Sequence, residues 1–377
     1  MNMLKSFPKI SVIMSVYNGS PDYLRESVDS ILQQSFTDFE FIIIDDCSSD
    51  DSWSILSEYA LSDRRILLLR NQQNMGLTKS LNKALNLARG EYIARQDADD
   101  ISMPTRFDKQ VTWLTEHAET VLVSSEIQRI RPDGTFGQVT ERACPSELLS
   151  WHLLFHNQLG GHSQVMFRRQ PVVDIGGYNE AYRYSQDYEL WCRLAAVGNL
   201  AVLPEALLHQ RFHAGSISAR KQSAQSKLVC EQVARNLEPL MSKVLLLSEA
   251  ETLHRFWSVD KLAKADRFPQ TELAAHLSQQ LSTIYRAYTT QQSVQTKQAI
   301  RGLIGQKFLA WASTLNRRTK LWIKIQIYLI ALQWSPQLAL EQWPVVFSKT
   351  KIRSQSGLPT STAQQNTTEM PHSAKAL

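Results

Sequence analysis

The chain has 377 residues, of which 43% are hydrophobic and 20% charged, and its formal net charge is +5. These proportions are typical of a globular protein and exclude the disordered, collagen-like and coiled-coil classes. The length predicts two units, or one large unit with an extension. The four cysteines form no Cys-x-x-Cys pair and the first residues form no apolar leader, which predicts a reducing, cytoplasmic location. We find no apolar run of the ~18 residues that a membrane span requires.

The first hundred residues alternate short apolar runs with helical patterns. Apolar runs at 10–16, 39–45, 66–70 and 91–96 predict four buried strands. Ser20 and Pro21 are typical of a helix start after the first strand, and helices of similar pattern are expected up to residue 59 and over 78–88. Strands that alternate with helices predict an α/β fold with a doubly wound, mostly parallel sheet.

Polar residues follow each of these four strands. Asn18 follows the first strand, Asp45 and Asp46 end the second, and Asn74 and Gly76 follow the third. An acidic cluster at 97–100 follows the fourth strand. Open sheets of this kind bind ligands at the carboxyl ends of their strands, so these residues predict a binding site, although loops are often polar for no functional reason.

The remaining elements are a helix at 104–117, strands at 121–125, 163–168 and 205–212, and a helix that begins near Gln186 and Asp187. Beyond residue 218 the pattern changes to long helices without strand signals. From residue 354 the chain is rich in Ser, Thr, Gln and Pro, which predicts a disordered tail. We therefore predict a catalytic domain at 1–218, a helical extension at 219–353 and a tail at 354–377.

The positive charge is concentrated in the predicted extension. Residues 301–353 contain nine Lys or Arg residues and one acidic residue, Glu341, a net charge of +8. The same segment contains Trp311, Trp322, Trp334 and Trp343. A basic segment rich in tryptophan predicts an anionic partner, and charge alone is compatible with a membrane surface or a nucleic acid. The alternative is that these helices pack on the rest of the chain and expose a solvated charged face.

Asp97 and Asp99 form an Asp-x-Asp sequence. Residues i and i+2 of a strand point to the same side about 7 Å apart, so the two carboxylates could share a divalent cation. Such triplets are also common in solvated loops. No glycine-rich phosphate loop follows the first strand, so a cation would have to neutralise any bound diphosphate.

Several motifs together resemble the family-2 nucleotide-sugar glycosyltransferases. They are the run 10–18 ending in Tyr17 and Asn18, the sequence 44–48 around Asp45 and Asp46, Asn74 and Gly76 with Asn82, the acidic cluster 97–100, and the sequence 186–191 that begins with Gln186 and Asp187. The resemblance covers residues 8–215 and implies a GT-A-type fold, a nucleoside-diphosphate sugar donor, a Mn²⁺ or Mg²⁺ ion and inversion at the anomeric carbon.

The resemblance also assigns roles by position. It implies that Asp99 lies closest to the metal and Asp97 nearer the ribose, that His213 approaches the metal or diphosphate, and that Asp46 hydrogen-bonds the base, usually uracil. The nucleotide pocket that it implies consists of Ser15, Tyr17, Asn18, Asp45, Asp46, Asn74, Gly76 and Asp97. His213 has an alternative role as a loop or core histidine.

Asp187 matches the catalytic base of the family. A sugar hydroxyl is a poor nucleophile until a positioned carboxylate takes its proton. The alternative is a first-turn acid that the helix dipole favours, and both roles can coexist. Gln186 occupies a position where many relatives have Glu. This difference is expected to affect contacts with the acceptor more than the mechanism, because Asp187 is retained.

The acceptor is expected to be a hydroxyl of a glycan or a lipid-linked glycan. Candidates for contacting it are Gln186, His162 and, for stacking on a sugar face, Trp151. The expected partners are a UDP-sugar, this acceptor and an anionic membrane surface at the inner face of the membrane, with no nucleic acid. The rival hypotheses are a phosphoryl transferase with Asp97 as nucleophile and a catalytically silent membrane or assembly adaptor.

Overall fold

The computed structural model describes residues 7–213, 222–258, 270–315 and 321–347. The strands of these residues are β1 (Ile10–Val16), β2 (Phe39–Asp45), β3 (Ile66–Arg70), β4 (Tyr92–Arg95), β5 (Ile101–Ser102), β6 (Thr120–Ile130), β7 (Phe136–Val139), β8 (Met166–Arg168) and β9 (Asn199–Arg211). The helices of the same part of the chain up to residue 213 are α1 (Pro21–Leu32), α2 (Ser52–Ser62), α3 (Leu77–Leu87), α4 (Arg106–Glu116), α5 (Ser146–Leu153), α6 (Arg169–Asp174) and α7 (Gln186–Leu194).

A second set of helices follows residue 221. They are α8 (Gln222–Met241), α9 (Leu247–Trp257), α10 (Gln270–Tyr288), α11 (Val294–Thr314), α12 (Leu321–Trp334) and α13 (Pro336–Phe347), with a 3₁₀ turn at Thr289–Gln291. The predicted boundary at 218 and 219 and the predicted tail at 354–377 lie outside the described residues. No helix in the described ranges is long and apolar enough to cross a bilayer.

The strands form one mixed sheet in the order β3-β2-β1-β4-β8-β6-β9-β5, with β7 paired to β6. The four predicted strands β1 to β4 run parallel to their neighbours, as expected. Beyond β4 the sheet is mixed, because β8 is antiparallel to both β4 and β6 while β6 and β9 are parallel. The chain moves outward from β1 to β3 and then returns to β4 on the other side of β1, so the strand order reverses between β1 and β4.

Helices cover both faces of the parallel half of the sheet. Alternate residues of β1 and β2 point to opposite faces: Ile13 and Ile44 pack in the core on the α3 side, whereas Met14 and Ile43 pack in the core that includes α1. Both strands are buried along almost their whole length, which explains their uninterrupted apolar runs.

Some predicted elements differ from the observed ones. The strand expected at 121–125 extends to Ile130, and the one expected at 205–212 is the second half of β9, because these two strands pair along most of their length. The strand expected from 163 begins only at Met166, because Ser163 and Gln164 form a turn.

The second set of helices shares a hydrophobic core with the sheet. One cluster of buried residues runs from Ile13 in β1 through Trp151 in α5 to Trp257 in α9 and on to Val346 in α13. The helical region therefore packs directly on the α/β region.

Candidate active site

The predicted site residues follow the carboxyl ends of β1, β2 and β4, where sheets of this kind bind their ligands. Tyr17 and Asn18 follow β1, Asp46 follows β2, and Asp97 follows β4. The reversal of strand order between β1 and β4 separates the loops of these two strands and opens a crevice between them.

Asp46 anchors the loop that contains Asn74 and Gly76. Its buried carboxylate accepts hydrogen bonds from the backbone N–H groups of Met75 and Gly76, both at 2.8 Å, and from the side chain of Asn71 at 2.7 Å. Gly76 has a φ of 89°, a conformation that glycine adopts without strain. A carboxylate has about four acceptor positions, so Asp46 retains room for one further donor.

Asp45 and Asn18 connect the loops of β1 and β2. The buried Oδ2 of Asp45 accepts hydrogen bonds from the backbone N–H of Ser48 at 3.2 Å and from Arg70 Nε at 3.1 Å. Asn18, whose φ is 51°, donates its backbone N–H to Ser48 Oγ and accepts at Oδ1 from the backbone N–H of Ser49. These bonds fix the edge of the predicted nucleotide pocket.

Tyr17, Ser15 and Asn74 remain accessible at this edge. The Tyr17 side chain is 54% exposed, Asn74 is exposed and Ser15 is partly exposed. An exposed aromatic ring at the carboxyl end of a strand can stack on a planar base. The structure thus leaves these three side chains available for a ligand.

Asp97 is held by two buried groups. Its Oδ1 pairs with the guanidinium of Arg95, and its Oδ2 accepts a hydrogen bond from Ser163 Oγ at 2.9 Å. Burial alone would raise the pKa of Asp97, but the charge of Arg95, with the hydrogen bond from Ser163, outweighs it and holds that pKa below its usual value. Asp97 is therefore ionised at neutral pH.

Asp99 is bonded to the segment that follows β9. His213 Nε2 lies 2.9 Å from Asp99 Oδ2, and Arg211 donates from Nε to the Asp99 carbonyl and from its backbone N–H to Asp100 Oδ1. Burial, with the added negative charge of Asp97, raises the pKa of Asp99. Asp97, Asp99 and His213 are thus brought to one place.

The acidic loop 97–100 offers a cation fewer side-chain ligands than a complete protein metal site. Among the residues that the structure describes, no group of three or more His, Cys, Asp or Glu side chains is arranged to hold a metal ion. The unfavourable proximity of Asp97 and Asp99 is nevertheless what a bound cation would relieve. Mg²⁺ is commonly held by one or two carboxylates and completed by water and substrate phosphates, and this donor set fits that mode.

Asp187 is the second residue of α7. Its half-buried carboxylate accepts a hydrogen bond from Asn157 Nδ2 at 3.3 Å. Burial, with a further effect of the negative charge of Asp97, raises the pKa of Asp187 to about 6, although backbone hydrogen bonds and Arg95 oppose this shift. Asp187 is therefore near enough to Asp97 and Arg95 for their charges to affect its pKa.

The three predicted acceptor residues are all buried. His162 lies behind Asp97, bonds to the Tyr178 hydroxyl at 2.8 Å and is held neutral because burial, together with Arg95, lowers its pKa well below the usual value. Gln186 is 6% exposed. Trp151 is fully buried, with ring contacts to Phe155 and Trp257, so the prediction that it stacks on a sugar is wrong.

Sequence reasoning did not single out Arg95, Ser163 and Asn157. Arg95 is fully buried, and its Nε and Nη1 have no hydrogen-bond partner among the described residues. An arginine in a short apolar strand directly before an acidic cluster was an available signal, because a buried charge requires a partner. Ser163 and Asn157 lie in loops, where no periodicity distinguishes them.

Comparison with known proteins identifies the family. The model of Glycosyl transferase family 2 matches residues 11–185. An uncharacterized glycosyltransferase of Methanocaldococcus jannaschii is 35% identical over 209 residues, which are 54% of this chain and 71% of that protein. The chain belongs to glycosyltransferase family 2. The predicted family and enzyme class are thereby confirmed.

Further relatives of this glycosyltransferase have more specific names. The Escherichia coli protein WfaP, named UDP-Glc:alpha-D-GlcNAc-diphosphoundecaprenol beta-1,3-glucosyltransferase, is 31% identical over 213 residues, 56% of this chain and 80% of WfaP. The structure of S. aureus TarS 1-349 in complex with UDP-GlcNAc aligns with a TM-score of 0.53 at 16% identity, covering 88% of this chain and 92% of that one. The latter likeness confirms the GT-A-type fold with its helical continuation.

Proposed function

We propose that this glycosyltransferase moves a sugar from a UDP-sugar to a hydroxyl of a glycan or lipid-linked acceptor, with inversion and with Asp187 as general base. The observation that carries the proposal is the position of Asp187: half-buried beside the crevice, with its pKa raised to about 6. A base whose pKa lies near the working pH is both ionised and strong enough to accept a proton in the transition state.

The chain's own residues would act in one displacement. Asn157 holds Asp187 in place, and the Asp187 carboxylate takes the proton of the acceptor hydroxyl while that oxygen bonds to the anomeric carbon. Attack from the face opposite the leaving diphosphate inverts the anomeric carbon. A single carboxylate suffices because the leaving diphosphate needs no proton.

Asp99, with Asp97, would hold a Mn²⁺ or Mg²⁺ ion; His213, which the sequence predicted as a further ligand, instead bonds to the Asp99 carboxylate, and no group of three such side chains in the described residues is arranged for a metal. Such an ion supplies the positive charge that neutralises a diphosphate. The chain needs this charge because no glycine-rich phosphate loop follows its first strand. Arg95 keeps Asp97 ionised, and the bonds from Arg211 and His213 keep the Asp99 loop closed on β9.

Two observations favour a uridine nucleotide. Asp46 keeps one acceptor position that can take the N3–H of uracil, and the exposed Tyr17 ring lies at the same edge. The name of WfaP includes UDP-Glc as the donor and a diphosphoundecaprenol-linked acceptor. We extend both features to this chain, and with them a cytoplasmic location at the inner face of a membrane.

The experiment combines binding and transfer. We expect calorimetry to show UDP binding that requires a divalent cation and is abolished by EDTA, and we expect Asp99→Ala to lose this binding. Asp187→Asn keeps the shape but removes the base, so it should bind UDP as the wild type does and transfer sugar about 10²-fold or more slowly.

Four results would contradict the proposal. Equal UDP affinity with and without EDTA in the wild type would show that UDP binding does not require a metal ion. Tighter binding of dTDP or GDP than of UDP would remove the uridine assignment. Transfer by Asp187→Asn within a few-fold of the wild type would reduce Asp187 to a helix-start acid, and a wild type inactive on every nucleotide sugar would favour a silent adaptor.

A further inference from the structure

Helix α12 is mostly apolar although it lies at the surface, and its exposed residues are three apolar ones and the two glutamines Gln326 and Gln333. Its 14 residues include three polar ones, Lys324, Gln326 and Gln333. One face is buried, through Ile327, Tyr328, Ala331 and Trp334. On the other face Trp322 and Leu329 are each 49% exposed and Leu321 is 63% exposed. Three of the five exposed residues of this helix are large and apolar, and neighbouring exposed apolar side chains are typical of a contact surface.

Helix α13, which packs on α12, also exposes apolar side chains. Leu340 is 66% exposed and Trp343 is 47% exposed. The Trp343 ring lies 4.2 Å from that of Phe347, and Lys324 Nζ lies 5.6 Å from the same Phe347 ring, so the end of α13 lies beside the start of α12. We call Leu321, Trp322, Leu329, Leu340 and Trp343 the hairpin surface.

The charge of this segment limits what can cover the hairpin surface. The sequence from 301 to 353 has nine basic residues and one acidic residue, and six of the nine, at 317–320 and 349–353, lie outside the described residues. A second copy of the chain would bring the same positive charge against itself. An anionic bilayer instead matches both features, because tryptophan rings favour the headgroup level and basic residues attract anionic lipids.

We propose that the hairpin surface binds anionic lipid bilayers, with α12 and α13 lying in the plane of the membrane interface. Both helices are too short to cross a bilayer, and α12 supplies the apolar side chains that enter the acyl boundary. The binding is independent of the transfer reaction, because none of its residues belongs to the crevice between β1 and β4.

The test uses the full-length chain and co-sedimentation with vesicles. We expect binding to vesicles of phosphatidylcholine mixed with phosphatidylglycerol, little binding to phosphatidylcholine alone, and release at high salt. Trp322→Gln and Leu340→Gln should each weaken binding by about tenfold, since each removes a large apolar side chain from the interface. Circular dichroism melting checks that each variant is folded.

Leu61→Gln is the matched control, because Leu61 is 91% exposed on α2, in the α/β region. It should bind vesicles as the wild type does. Asp187→Asn should also bind vesicles normally, and Trp322→Gln should keep transfer to a soluble acceptor, which separates this proposal from the proposed function.

Three outcomes would overturn the proposal. The first is a wild type that stays in the supernatant with phosphatidylglycerol vesicles. The second is equal vesicle binding by the wild type and Trp322→Gln. The third is sedimentation velocity that shows a wild-type dimer which Trp322→Gln converts to a monomer, because a second copy would then cover the surface.

Discussion

Arg95 connects the two acidic centres of the crevice. It is fully buried, pairs with Asp97 and lowers the pKa values of both Asp97 and Asp187. A buried guanidinium with unbonded N–H groups is costly for stability. We infer that the chain keeps Arg95 despite this loss of stability because its charge favours the ionised forms of Asp97 and Asp187, which transfer requires.

The pH profile of transfer tests this role. Asp187 must be deprotonated to act, so kcat/KM of the wild type should fall about tenfold per pH unit as the pH drops below about 6. Arg95→Met removes a cation that favours the ionised carboxylate, and the acidic limb should therefore move to higher pH. Steady-state kinetics from pH 5 to pH 8 measures the shift.

Arg95→Lys is the matched control because it keeps the charge and loses the planar fork. Its acidic limb should lie between those of the wild type and Arg95→Met. If Arg95→Met lowers kcat/KM by the same factor at every pH, Arg95 has only a structural role.

Among single residues, the sequence predicted those site residues whose type and position are both unusual. The acidic cluster 97–100 and Asp187 were found because carboxylates followed predicted strands or began a predicted helix. Trp151 was misjudged because its burial depends on Trp257 and Tyr288, more than a hundred residues away along the chain. A contact so distant in sequence leaves no local pattern.

At the scale of elements, the link from α3 to β4 depends on a close approach of two backbones. Gly90 donates its backbone N–H to Ser11 Oγ at 2.8 Å, and a Cβ at position 90 would lie 2.5 Å from the backbone nitrogen of Ser11. The neighbouring Arg89 N–H bonds to the buried Glu40 carboxylate. This contact fixes where β4, and hence the loop of Asp97, enters the sheet.

We expect Gly90→Ala to reduce the free energy of unfolding by about 2 to 3 kcal/mol, because neither backbone can move away without breaking sheet hydrogen bonds. Gly302→Ala is the control: Gly302 lies within α11 and a Cβ there would meet nothing within 4 Å. It should leave stability unchanged or raise it by up to about 1 kcal/mol. Urea unfolding measures both, and a loss for Gly90→Ala no larger than that for Gly302→Ala would contradict the steric argument.

The elements that the sequence predicted well are those whose burial is local and complete. Strands β1, β2 and β4 are buried along almost their whole length, and their apolar runs marked them within two residues of their observed ends. The run at 66–70 also marked β3, but the prediction that this strand is buried is wrong, because β3 lies at the edge of the sheet and none of its residues is fully buried. Strand β7, with Phe136 and Val139 exposed, and strand β5, of two residues, have no such pattern. The antiparallel insertion of β8 between β4 and β6 follows from tertiary pairing, which periodicity does not report.

At the scale of the whole molecule, the helical region and the α/β region meet at a buried polar contact. His152 of α5 is 8% exposed, and its Nδ1 accepts a hydrogen bond from Trp257 Nε1 of α9 at 2.9 Å. Lys307 of α11 donates to the Trp257 carbonyl. Burial, with the positive charge of Lys307, lowers the pKa of His152 to about 4.

This contact should make the docking of the helical region sensitive to acid. The ordinary pKa of histidine is 6.5, so below that pH the unfolded chain binds a proton at His152 that the folded chain does not bind until about pH 4. Stability contributed by the neutral ring is complete above about pH 6.5 and is lost as the pH falls. The slope for one group is about 1.4 kcal/mol per pH unit.

His152→Asn removes the proton site, so its effect on stability must itself change with pH. At pH 7 the variant should be less stable than the wild type, because it loses the bond from Trp257 and leaves a cavity. Between pH 6.5 and pH 5 the difference should move by about 2 kcal/mol in favour of the variant. Carboxylates that titrate in the same range, such as Asp187, are present in both proteins and cancel in the comparison. Urea unfolding at the two pH values measures this difference, and His276→Asn, at an exposed position of α10, is the control. A difference between wild type and His152→Asn that stays constant with pH would contradict the prediction, because it would show that folding does not shift the pKa of His152.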